Sequence, residues 1–423
     1  MYTADVPEFR RSQVDTIVSR LSEPPQRLIA IFGPRQTGKT TATRQALALT
    51  EQGNRYEAID AAEPSAEPWP ASSEAEYANF GPVRRDARWL VEIWEHSRHQ
   101  AWTSQQGFVL VLDEIQKIEQ WSEIVKGLWD ADRASGCPLQ VAILGSAPLL
   151  MQAGLRESLA GRFEPIHVTH WSYPEMADAF GFSLDEYVYF GGYPGAAPLT
   201  NDQERWSAYI RGALVDPNIE RDVLSMTRVD KPALLKRLFE VGALYSGQIL
   251  SFNKMLGQLQ DAGNTTTLTR YLDLLSQAGL LTGLSKYTER PVSARASIPK
   301  LNVLNTALMS AASGYSLEQA RADRAFWGRL VESAVGAHLV NTASPSITVK
   351  YWRDGNHEVD FVLHRGPHTV GVEVKSGQTP TSHRGLMEFE RRFQPRATVI
   401  VGDTGVPLHD FLSEPADYWF ETT

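Results

Sequence analysis

The feature that most constrains the fold is the segment IFGPRQTGKTT, residues 31–41. It contains the pattern G-x-x-x-x-G-K-[ST] and stands between an apolar run, RLIAIF, and a segment with helical character, TTATRQALAL. In this context glycines allow a tight turn, so that backbone N–H groups and the following helix N-terminus point at phosphate groups. A strand, a phosphate loop and a helix in this order predict an α/β domain built on a parallel sheet.

The residues of this loop are typical of a nucleotide-binding site. The Lys39 side chain is long enough to reach the β- and γ-phosphates, and the Thr40 hydroxyl is a ligand for Mg²⁺. The sequence therefore predicts ATP and Mg²⁺ as cofactors. The residues predicted to hold the ATP phosphates are Gly33, Pro34, Arg35, Gln36, Thr37, Gly38, Lys39, Thr40 and Thr41.

Two further apolar runs end in polar residues. FVLVLDE places Asp113 and Glu114 at a strand end, where Asp113 would complete the Mg²⁺ site and Glu114 would activate or orient the attacking water. AILGSAP places Ser146 at another strand end, as a polar sensor beside the γ-phosphate. A strand can also end in acids simply because it meets solvent, and a lone serine is commonly a turn former. The complete phosphate loop upstream favours the catalytic interpretation, and hence an ATPase.

The segment RESLAGRF contains two arginines, Arg156 and Arg162. An arginine supplied across a subunit boundary can accelerate phosphoryl transfer by about 10³–10⁵-fold. The alternative is a solvated arginine with no part in the reaction. We favour Arg162 as such an arginine finger, and this role predicts a homo-oligomer.

Residues 231–284 change character and become helical. NTTT (264–267) offers N-cap residues for one helix, Gly279 is placed to end it, and an apolar strand follows. This order predicts a winged-helix-like module, with Lys254 and Arg270 as candidate DNA contacts. The alternative is a solvated basic face, since winged helices also mediate protein contacts. Segment 61–82, rich in Pro, Ser, Ala and Glu, predicts a surface insertion.

Near the C-terminus, HEVDFVLHRGPHTVGVEVKSG predicts a hairpin of two strands. Alternation of side chains along each strand puts Asp360 on the same face as Glu373 and Lys375, and Glu332 on the preceding helix is a candidate fourth member. Two or three carboxylates bind Mg²⁺, and a lysine steadies developing charge at a scissile phosphate. The alternative is a solvent-exposed face on which Lys375 simply pairs with the acids. The sequence therefore predicts a nuclease-like site whose cleavage activity is open.

The composition of the chain limits the number of domains and the cellular compartment that we expect. The chain has 423 residues, 42% of them hydrophobic and 22% charged, which predicts several globular domains. No apolar run approaches the roughly 18 residues of a membrane span, and the start lacks the apolar core of a secretory signal. The single cysteine, Cys137, fits a reducing compartment, so we expect a cytoplasmic protein. Residues 51–170 contain 18 acidic and 10 basic residues, and this excess accounts for most of the net charge of −9. Basic patches that bind nucleic acid therefore remain possible in the other segments.

Taken together, these motifs make the chain resemble the bacterial and archaeal AAA+-like P-loop ATPases that carry a C-terminal domain of unknown function. One departure is visible before the last domain, where such proteins tend to have Asp-Thr-Gly-Leu and this chain has NTALM, with Asn305 and Ala307. The resemblance covers nearly the whole chain. The segments that carry it are FRRSQVDTIVSRL, IFGPRQTGKTT, VLDEIQ, LGSAPLLM, ESLAGRF, WSYPEMADAF, YVYFGGYPG, NIERDVLSM, NTTTLTRYLDLLSQAGLL and VEVKSG.

The resemblance implies a P-loop ATPase core, a winged-helix-like module and a terminal domain similar to PD-(D/E)XK nucleases. It assigns Lys39, Thr40, Asp113, Glu114 and Ser146 to the nucleotide site, Arg162 to the LAGR motif, and Asp360, Glu373 and Lys375 to the nuclease signature. The expected domains are an ATPase domain over 1–170, a helical lid or connector over 171–230, the winged-helix-like module over 231–315 and the nuclease-like domain over 320–423.

Three functions fit this multidomain α/β architecture. The first is an oligomeric ATPase that moves or remodels DNA, with a terminal domain that cuts it. The second is a nucleotide-controlled switch or scaffold in which an inactive nuclease fold binds protein or DNA. The third is a protein-remodelling ATPase, since the sequence does not identify the substrate surfaces.

Overall fold

The computed structural model describes residues 9–60, 85–145, 158–223, 229, 231–252, 254–255, 265–289, 298–375 and 383–421. The described chain divides into two compact units. The first runs to Val168 without residues 34–37, and the second contains residues 34–37 and continues from Thr169. The predicted insertion at 61–82, Ser146 and Arg156 lie outside the described residues.

The first unit is built on a five-stranded parallel sheet, as the sequence predicts. The strand order is β2-β3-β4-β1-β5, and every neighbouring pair is parallel. The three central strands are almost entirely buried, which explains their unbroken apolar sequences. The strands are β1 (Leu28–Phe32), β2 (Gly53–Ala58), β3 (Phe108–Asp113), β4 (Leu139–Gly145) and β5 (Phe163–His167).

Four helices cover the sheet and divide its core in two. Along β1, Ile29 and Ile31 belong to a core formed with α1 and α2, whereas Leu28, Ala30 and Phe32 belong to a second core formed with α3 and α4. Successive strand residues point to opposite faces, so one apolar strand serves both cores. The helices are α1 (Ser12–Ser22), α2 (Lys39–Leu49), α3 (Ala87–Thr103) and α4 (Trp121–Ser135).

The second unit begins with helices. Two of them, α5 and α6, start with capping boxes, in which a serine and a glutamate three residues later satisfy each other's backbone N–H groups. A short helix then continues as π-helical turns over Ile210–Val215 and Asn218–Val223. The helices of this stretch are α5 (Tyr173–Phe180), α6 (Leu184–Phe190), α7 (Gln203–Tyr209), α8 (Pro232–Leu244) and α9 (Thr265–Gln277), with a 3₁₀ turn at Pro194–Leu199.

Helices α8 and α9 are followed by a two-stranded antiparallel ribbon, β6 (Leu281–Leu284) and β7 (Lys300–Val303). Gly279, with a φ of +75°, follows α9 at the position where the sequence predicts its end. The helix-and-strand order of this region is therefore confirmed. The apolar faces of its two helices are buried, through Leu234, Leu235, Leu238, Phe239, Leu268, Tyr271, Leu272 and Leu275.

The last part of the second unit is a four-stranded mixed sheet of order β11-β10-β9-β8. The predicted hairpin is present as β9 and β10, which pair antiparallel across a turn containing Gly366, whose φ is +57°. The strands are β8 (Thr348–Asp354), β9 (His357–Arg365), β10 (His368–Lys375) and β11 (Ala397–Gly402). The helices are α10 (Ala307–Ser313), α11 (Leu317–Ala322), α12 (Arg324–Thr342), α13 (Arg384–Phe393) and α14 (Leu408–Ser413), followed by a 3₁₀ turn at Ala416–Phe420.

No helix among the described residues is long and apolar enough to cross a membrane.

A buried carboxylate joins α3 to α4 in the first unit. Asp132 is buried, accepts a hydrogen bond from the Trp94 indole Nε1 at 2.8 Å and forms an ion pair with Arg98. Arg98 also pairs with Glu95, whose side chain is 55% exposed. The same arginine therefore has one buried and one exposed acidic partner.

We expect Asp132→Ala to lower the free energy of unfolding by about 3 kcal/mol, because it strands a half-buried arginine and a buried indole N–H. The matched control is Glu95→Ala, which removes the exposed partner of the same arginine and should cost less than about 1 kcal/mol. Urea denaturation followed by tryptophan fluorescence measures both. Equal losses in the two variants would contradict the assignment of Asp132 as the structural partner.

Candidate functional site

The phosphate loop links β1 to α2, and its glycines are required by its geometry. A Cβ at Gly33 would lie 2.0 Å from the carbonyl oxygen of Val168, so only glycine fits. Gly38 has a φ of +85°, and Gln36 adopts a left-handed φ of +59° despite its side chain. Inside the loop the Thr37 hydroxyl donates to the carbonyl of Pro34 at 3.0 Å. The loop therefore takes left-handed backbone conformations at Gln36 and Gly38 before the helix begins.

Lys39 begins α2 and is buried. Its Nζ donates a hydrogen bond to the carbonyl oxygen of Gly33 at 3.0 Å, so the ammonium group folds back across the loop. Thr40 next to it is exposed, while Arg35 and Thr41 are half-buried. The positive charge is thus placed inside the turn whose backbone is predicted to surround the phosphates.

Asp113 ends β3 and joins this loop. Its Oδ2 accepts a hydrogen bond from the Thr40 hydroxyl at 2.8 Å. The threonine hydroxyl and the carboxylate are hard oxygen donors in contact with each other, so this pair fits Mg²⁺. The structure brings together the two residues that the sequence predicts as metal ligands.

A residue that sequence reasoning missed, Tyr56 on β2, also donates its hydroxyl to Asp113 Oδ2. Burial, followed by the negative charge of Asp113, raises the pKa of Tyr56 well above its usual range, so the hydroxyl remains a donor. The Arg44 guanidinium lies over the Tyr56 ring, 4.7 Å from its centroid. Tyr56 therefore fixes the orientation of the carboxylate from the neighbouring strand.

Glu114 follows Asp113 with a left-handed φ of +59°. Its Oε2 accepts a hydrogen bond from the Gln116 side-chain amide at 2.6 Å. A non-glycine residue in this region of φ is strained, and such strain is common where a side chain must point in a set direction.

Arg162 forms a two-pronged ion pair with Asp130 of α4. Its Nε and Nη2 donate to the two carboxylate oxygens at 2.7 and 3.0 Å. The hydrogen bonds from Arg162 lower the pKa of Asp130. The two side chains remain 33% and 47% exposed, so the pair lies at the surface of the first unit.

A second group of charges occupies the terminal sheet. Gly371 pairs with Val362 across the β9–β10 hairpin, and this register puts Glu373 and Asp360 on one side of the sheet, as alternation predicts. Lys375 Nζ lies 2.6 Å from Glu373 Oε1. Asp360 Oδ2 accepts a hydrogen bond from the backbone N–H of Val374 at 2.8 Å.

A fully buried lysine, Lys300, lies within this group and was not predicted from the sequence. Its Nζ is 2.5 Å from Glu332 Oε1 and 3.3 Å from Asp360 Oδ1. Glu358 is 3.9 Å away. Lys300 begins the short apolar strand β7, where a lysine ordinarily marks the solvent end of a strand, so local pattern gives no signal of its burial. We name Lys300, Glu332, Glu358, Asp360, Glu373 and Lys375 the charged cluster.

Protonation in the charged cluster is shifted by burial. Burial, then the charge of Asp360, raises the pKa of Glu332 to about 7, although Lys300 opposes this. The same two causes raise the pKa of Glu373 to about 7, against the effect of Lys375. Burial lowers the pKa of Lys300, but Asp360 and Glu332 outweigh it, and the net shift is upward. Lys300 is therefore charged at neutral pH.

The charged cluster does not fit a divalent metal ion. Within the described ranges, no three His, Cys, Asp or Glu side chains are arranged to hold a metal. The ammonium group of Lys300 lies between Glu332 and Asp360, two of the carboxylates that the sequence predicts as ligands.

Asn305, where the chain departs from the pattern of the proteins it resembles, is buried and fully used. Its Oδ1 accepts hydrogen bonds from the backbone N–H groups of Gly192 and Ala307 at 3.1 and 3.2 Å. Its Nδ2 contacts His170 Nδ1 at 3.2 Å, and His170 Nε2 contacts the carbonyl of Gly279 at 2.8 Å. An amide donates and accepts at once, so this position has a structural role that a carboxylate could match only with a doubly protonated imidazole.

The candidate DNA contacts of the helical region, Lys254 and Arg270, are both exposed. Arg270 lies on α9, and Lys254 precedes it in the chain. Exposure is compatible with contact to a phosphate backbone and with a solvated face, so their role stays a prediction.

Comparisons with family models assign parts of the chain. Residues 25–177 match a model described as an AAA domain. Residues 181–319 and 327–413 match two models that are each described as a domain of unknown function, DUF8612 and DUF4143. No relative was found among curated proteins.

Several solved structures resemble the chain, to different extents. The Walker-type ATPase of Pyrococcus abyssi is 13% identical, with 73% of this chain and 98% of that chain covered and a TM-score of 0.50. The Aeropyrum pernix Orc1 protein in complex with DNA is 12% identical, with 74% and 94% covered and a TM-score of 0.29. The Thermotoga maritima RuvB Holliday junction branch migration motor is 17% identical, with 64% and 89% covered and a TM-score of 0.30.

Of these three structures, the first supports the fold, and the other two superpose too poorly to carry an argument. The match to the AAA model, the parallel sheet and the first of these structures support an AAA-like P-loop fold for the first unit.

The contact between Tyr56 and Asp113 can be tested directly. We expect Tyr56→Phe to weaken Mg²⁺-dependent ATP binding by about tenfold, because a carboxylate that loses its orienting donor holds a metal less tightly. The measurement is a titration with fluorescent ATP analogue at several Mg²⁺ concentrations. Tyr315→Phe, which removes a hydroxyl bonded to the exposed Asp323 in the second unit, is the matched control. Unchanged Mg²⁺ dependence in Tyr56→Phe would show that Tyr56 has no positioning role.

Proposed function

We propose that this chain is a Mg²⁺-dependent ATPase that acts on nucleic acid as a homo-oligomer. Its terminal nuclease-like domain binds nucleic acid without cutting it. The observation that carries the ATPase assignment is the contact of Thr40 with Asp113. It joins the end of the phosphate loop to the acid at the end of β3, with Lys39 in the same turn.

Each residue of the loop has a distinct part in this reaction. Thr40 and Asp113 would hold Mg²⁺, which, when bound, would offset the negative charge of the phosphates. Lys39 would leave the Gly33 carbonyl and donate to the phosphate oxygens of ATP. Tyr56 keeps Asp113 oriented through its hydroxyl. Thr40, Asp113 and Tyr56 are therefore in contact before the substrate arrives, which lowers the cost of organising the transition state.

Glu114 is the residue we assign to the attacking water. Its carboxylate is already held by Gln116, and its backbone turns at that position. A carboxylate with a fixed orientation can accept the proton of a water aligned with the γ-phosphate. The hydrogen bond from Gln116 thus helps to set the direction of the Glu114 carboxylate.

Arg162 is the candidate arginine finger between copies of the chain. Its ion pair with Asp130 is exposed, and exposed pairs contribute little stability, about 0–1 kcal/mol. Such a pair can exchange for a phosphate of higher charge when another copy presents one. The two-pronged geometry of the pair is also the geometry in which a guanidinium binds phosphate.

Action on nucleic acid is inferred from two exposed basic side chains in the second unit. Lys254 and Arg270 are exposed on a helical region that the sequence predicts to be winged-helix-like, and exposed basic side chains can neutralise a phosphate backbone. The switch or scaffold interpretation and the protein-remodelling interpretation share the same ATPase domain. Action on nucleic acid differs from both of these interpretations because it requires DNA to change the rate of ATP turnover.

ATP turnover tests the loop assignment. We expect Lys39→Ala to lower kcat by about 100-fold or more, because the transition state loses a positive donor at the phosphates. The control is Lys117→Ala, which removes an exposed lysine paired with Asp60 in the same unit and should keep the wild-type rate. A coupled assay of ADP release measures both. A wild-type rate in Lys39→Ala would overturn the site assignment.

DNA binding has its own test. We expect the double variant Lys254→Ala, Arg270→Ala to bind all DNA sequences more weakly and to show a log Kd against log salt slope reduced by about 2. Lys236→Ala is the control, since that lysine is paired with Asp216. The same variants are assayed for DNA-stimulated ATP turnover. Wild-type affinity and salt slope in the double variant, or no effect of DNA on turnover in the wild type, would favour the switch or protein-remodelling functions.

A further inference from the structure

Lys300 and the carboxylates nearest to it come from three separate elements of the second unit. Lys300 begins β7, Glu332 lies in α12, and Glu358 and Asp360 lie on β9. The side chain of Lys300 is 0% exposed. Its ammonium therefore has no access to water, and every interaction that keeps it charged comes from the protein.

The ammonium lies where the carboxylate oxygens converge. Besides its contacts with Glu332 and with the Asp360 carboxylate, Nζ donates to the backbone carbonyl of Asp360 at 3.2 Å. It also lies 4.9 Å from the centroid of the Phe361 ring, whose face attracts cations. These ligands are two carboxylates, a carbonyl and an aromatic face, and the first three are the oxygen types that hard metal ions prefer.

Charge accounting supports the same location. An ammonium removed from water is tolerated only when opposite charges compensate it, and the nearby carboxylates have the same requirement. A divalent cation placed among Glu332 and Asp360 would lie within a few ångströms of the ammonium and be repelled by it. The position between these carboxylates therefore cannot hold the Lys300 ammonium and a divalent metal ion at the same time.

Lys375 differs from Lys300 in each of these respects. Its side chain is 23% exposed, and its ion pair is with Glu373, two residues away on the same strand. Water can compensate its charge when Glu373 is protonated or engaged elsewhere. It serves as a matched control, because it is a lysine of the same cluster without the buried position.

We propose that the Lys300 ammonium is the resident cation of the charged cluster and takes the place of the divalent metal ion that a nuclease of this pattern requires. The terminal domain is then held together by an internal cation. It has no metal centre with which to cleave a phosphodiester. This inference rests on the proposed nuclease-like assignment of the terminal domain, but it does not depend on ATP hydrolysis or on the DNA contacts of the helical region.

The experiment is a Mn²⁺ titration of the full chain without nucleotide, with bound Mn²⁺ counted by electron paramagnetic resonance. All proteins carry Asp113→Asn, which removes the carboxylate of the nucleotide site. We expect no Mn²⁺ site that depends on Asp360 when Lys300 is present. We expect Lys300→Met to gain one site per chain, and Asp360→Asn added to it to abolish that site. Lys375→Met should gain none.

Thermal unfolding gives a second readout. Lys300→Met should unfold at a lower temperature than the parent, because its carboxylates lose their cation, and Mn²⁺ should recover part of the loss. The parent protein should show no Mn²⁺-dependent shift in Tm. ATP turnover, measured for Lys300→Met in the chain with native Asp113, should stay at the wild-type rate, so that failure here is separable from failure of the ATPase assignment.

Three results would overturn the proposal. The first is a Mn²⁺ site in the parent that Asp360→Asn or Glu373→Gln removes, and this comparison decides the question even when Lys300→Met does not fold. The second is a folded Lys300→Met protein that gains no Mn²⁺ site. The third is a gain of the site in Lys375→Met, which would assign the cation position to the other lysine.

Discussion

The structure of the first unit depends on burial of its sheet on both faces. The central strands β1, β3 and β4 place apolar side chains in two cores at once, so a charged group cannot lie along them. Charge is confined to the ends of the strands, where the chain leaves the sheet. Because the strands are parallel, their carboxyl ends lie on the same side of the sheet. Thr40, which follows the phosphate loop after β1, therefore lies within hydrogen-bonding distance of Asp113 at the end of β3. The nucleotide site follows from the packing of the sheet.

The sequence predicts the parts of the fold that obey a local rule. The buried central strands are unbroken apolar runs, and the β9–β10 hairpin alternates so regularly that the shared face of Asp360 and Glu373 follows from it. The edge strands β2 and β5 were not predicted. Their sequences, GNRYEA and FEPIH, contain polar residues or proline because these strands are only partly buried, so they lack an apolar run. Their positions are set by pairing with neighbouring strands, which a local pattern does not contain.

The functional residues that were missed share one property, since each acts through a partner distant in sequence. Tyr56 meets Asp113 across adjacent strands, and Lys300 meets Asp360 across 60 residues of chain. In the sequence alone, Tyr56 looks like any tyrosine in a strand, and Lys300 looks like a lysine at the solvent-exposed end of a strand. Motif residues such as Lys39 and Thr40 are recognisable because the loop that positions them is contiguous. A site assembled by tertiary packing shows its chemistry only when the fold is known.

The chain holds its positive charges in two ways, and the difference bears on what each can do. Arg162 is paired at the surface, where water stabilises both partners when they separate, so the pair can open for another ligand. Lys300 is enclosed, and separating it from Glu332 or Asp360 would leave buried charges without compensation. The first arrangement suits a group that responds to assembly or nucleotide. The second arrangement suits a permanent element of the core. The charged cluster has the residue pattern of a metal site, and through Lys300 it holds β7, α12 and β9 together.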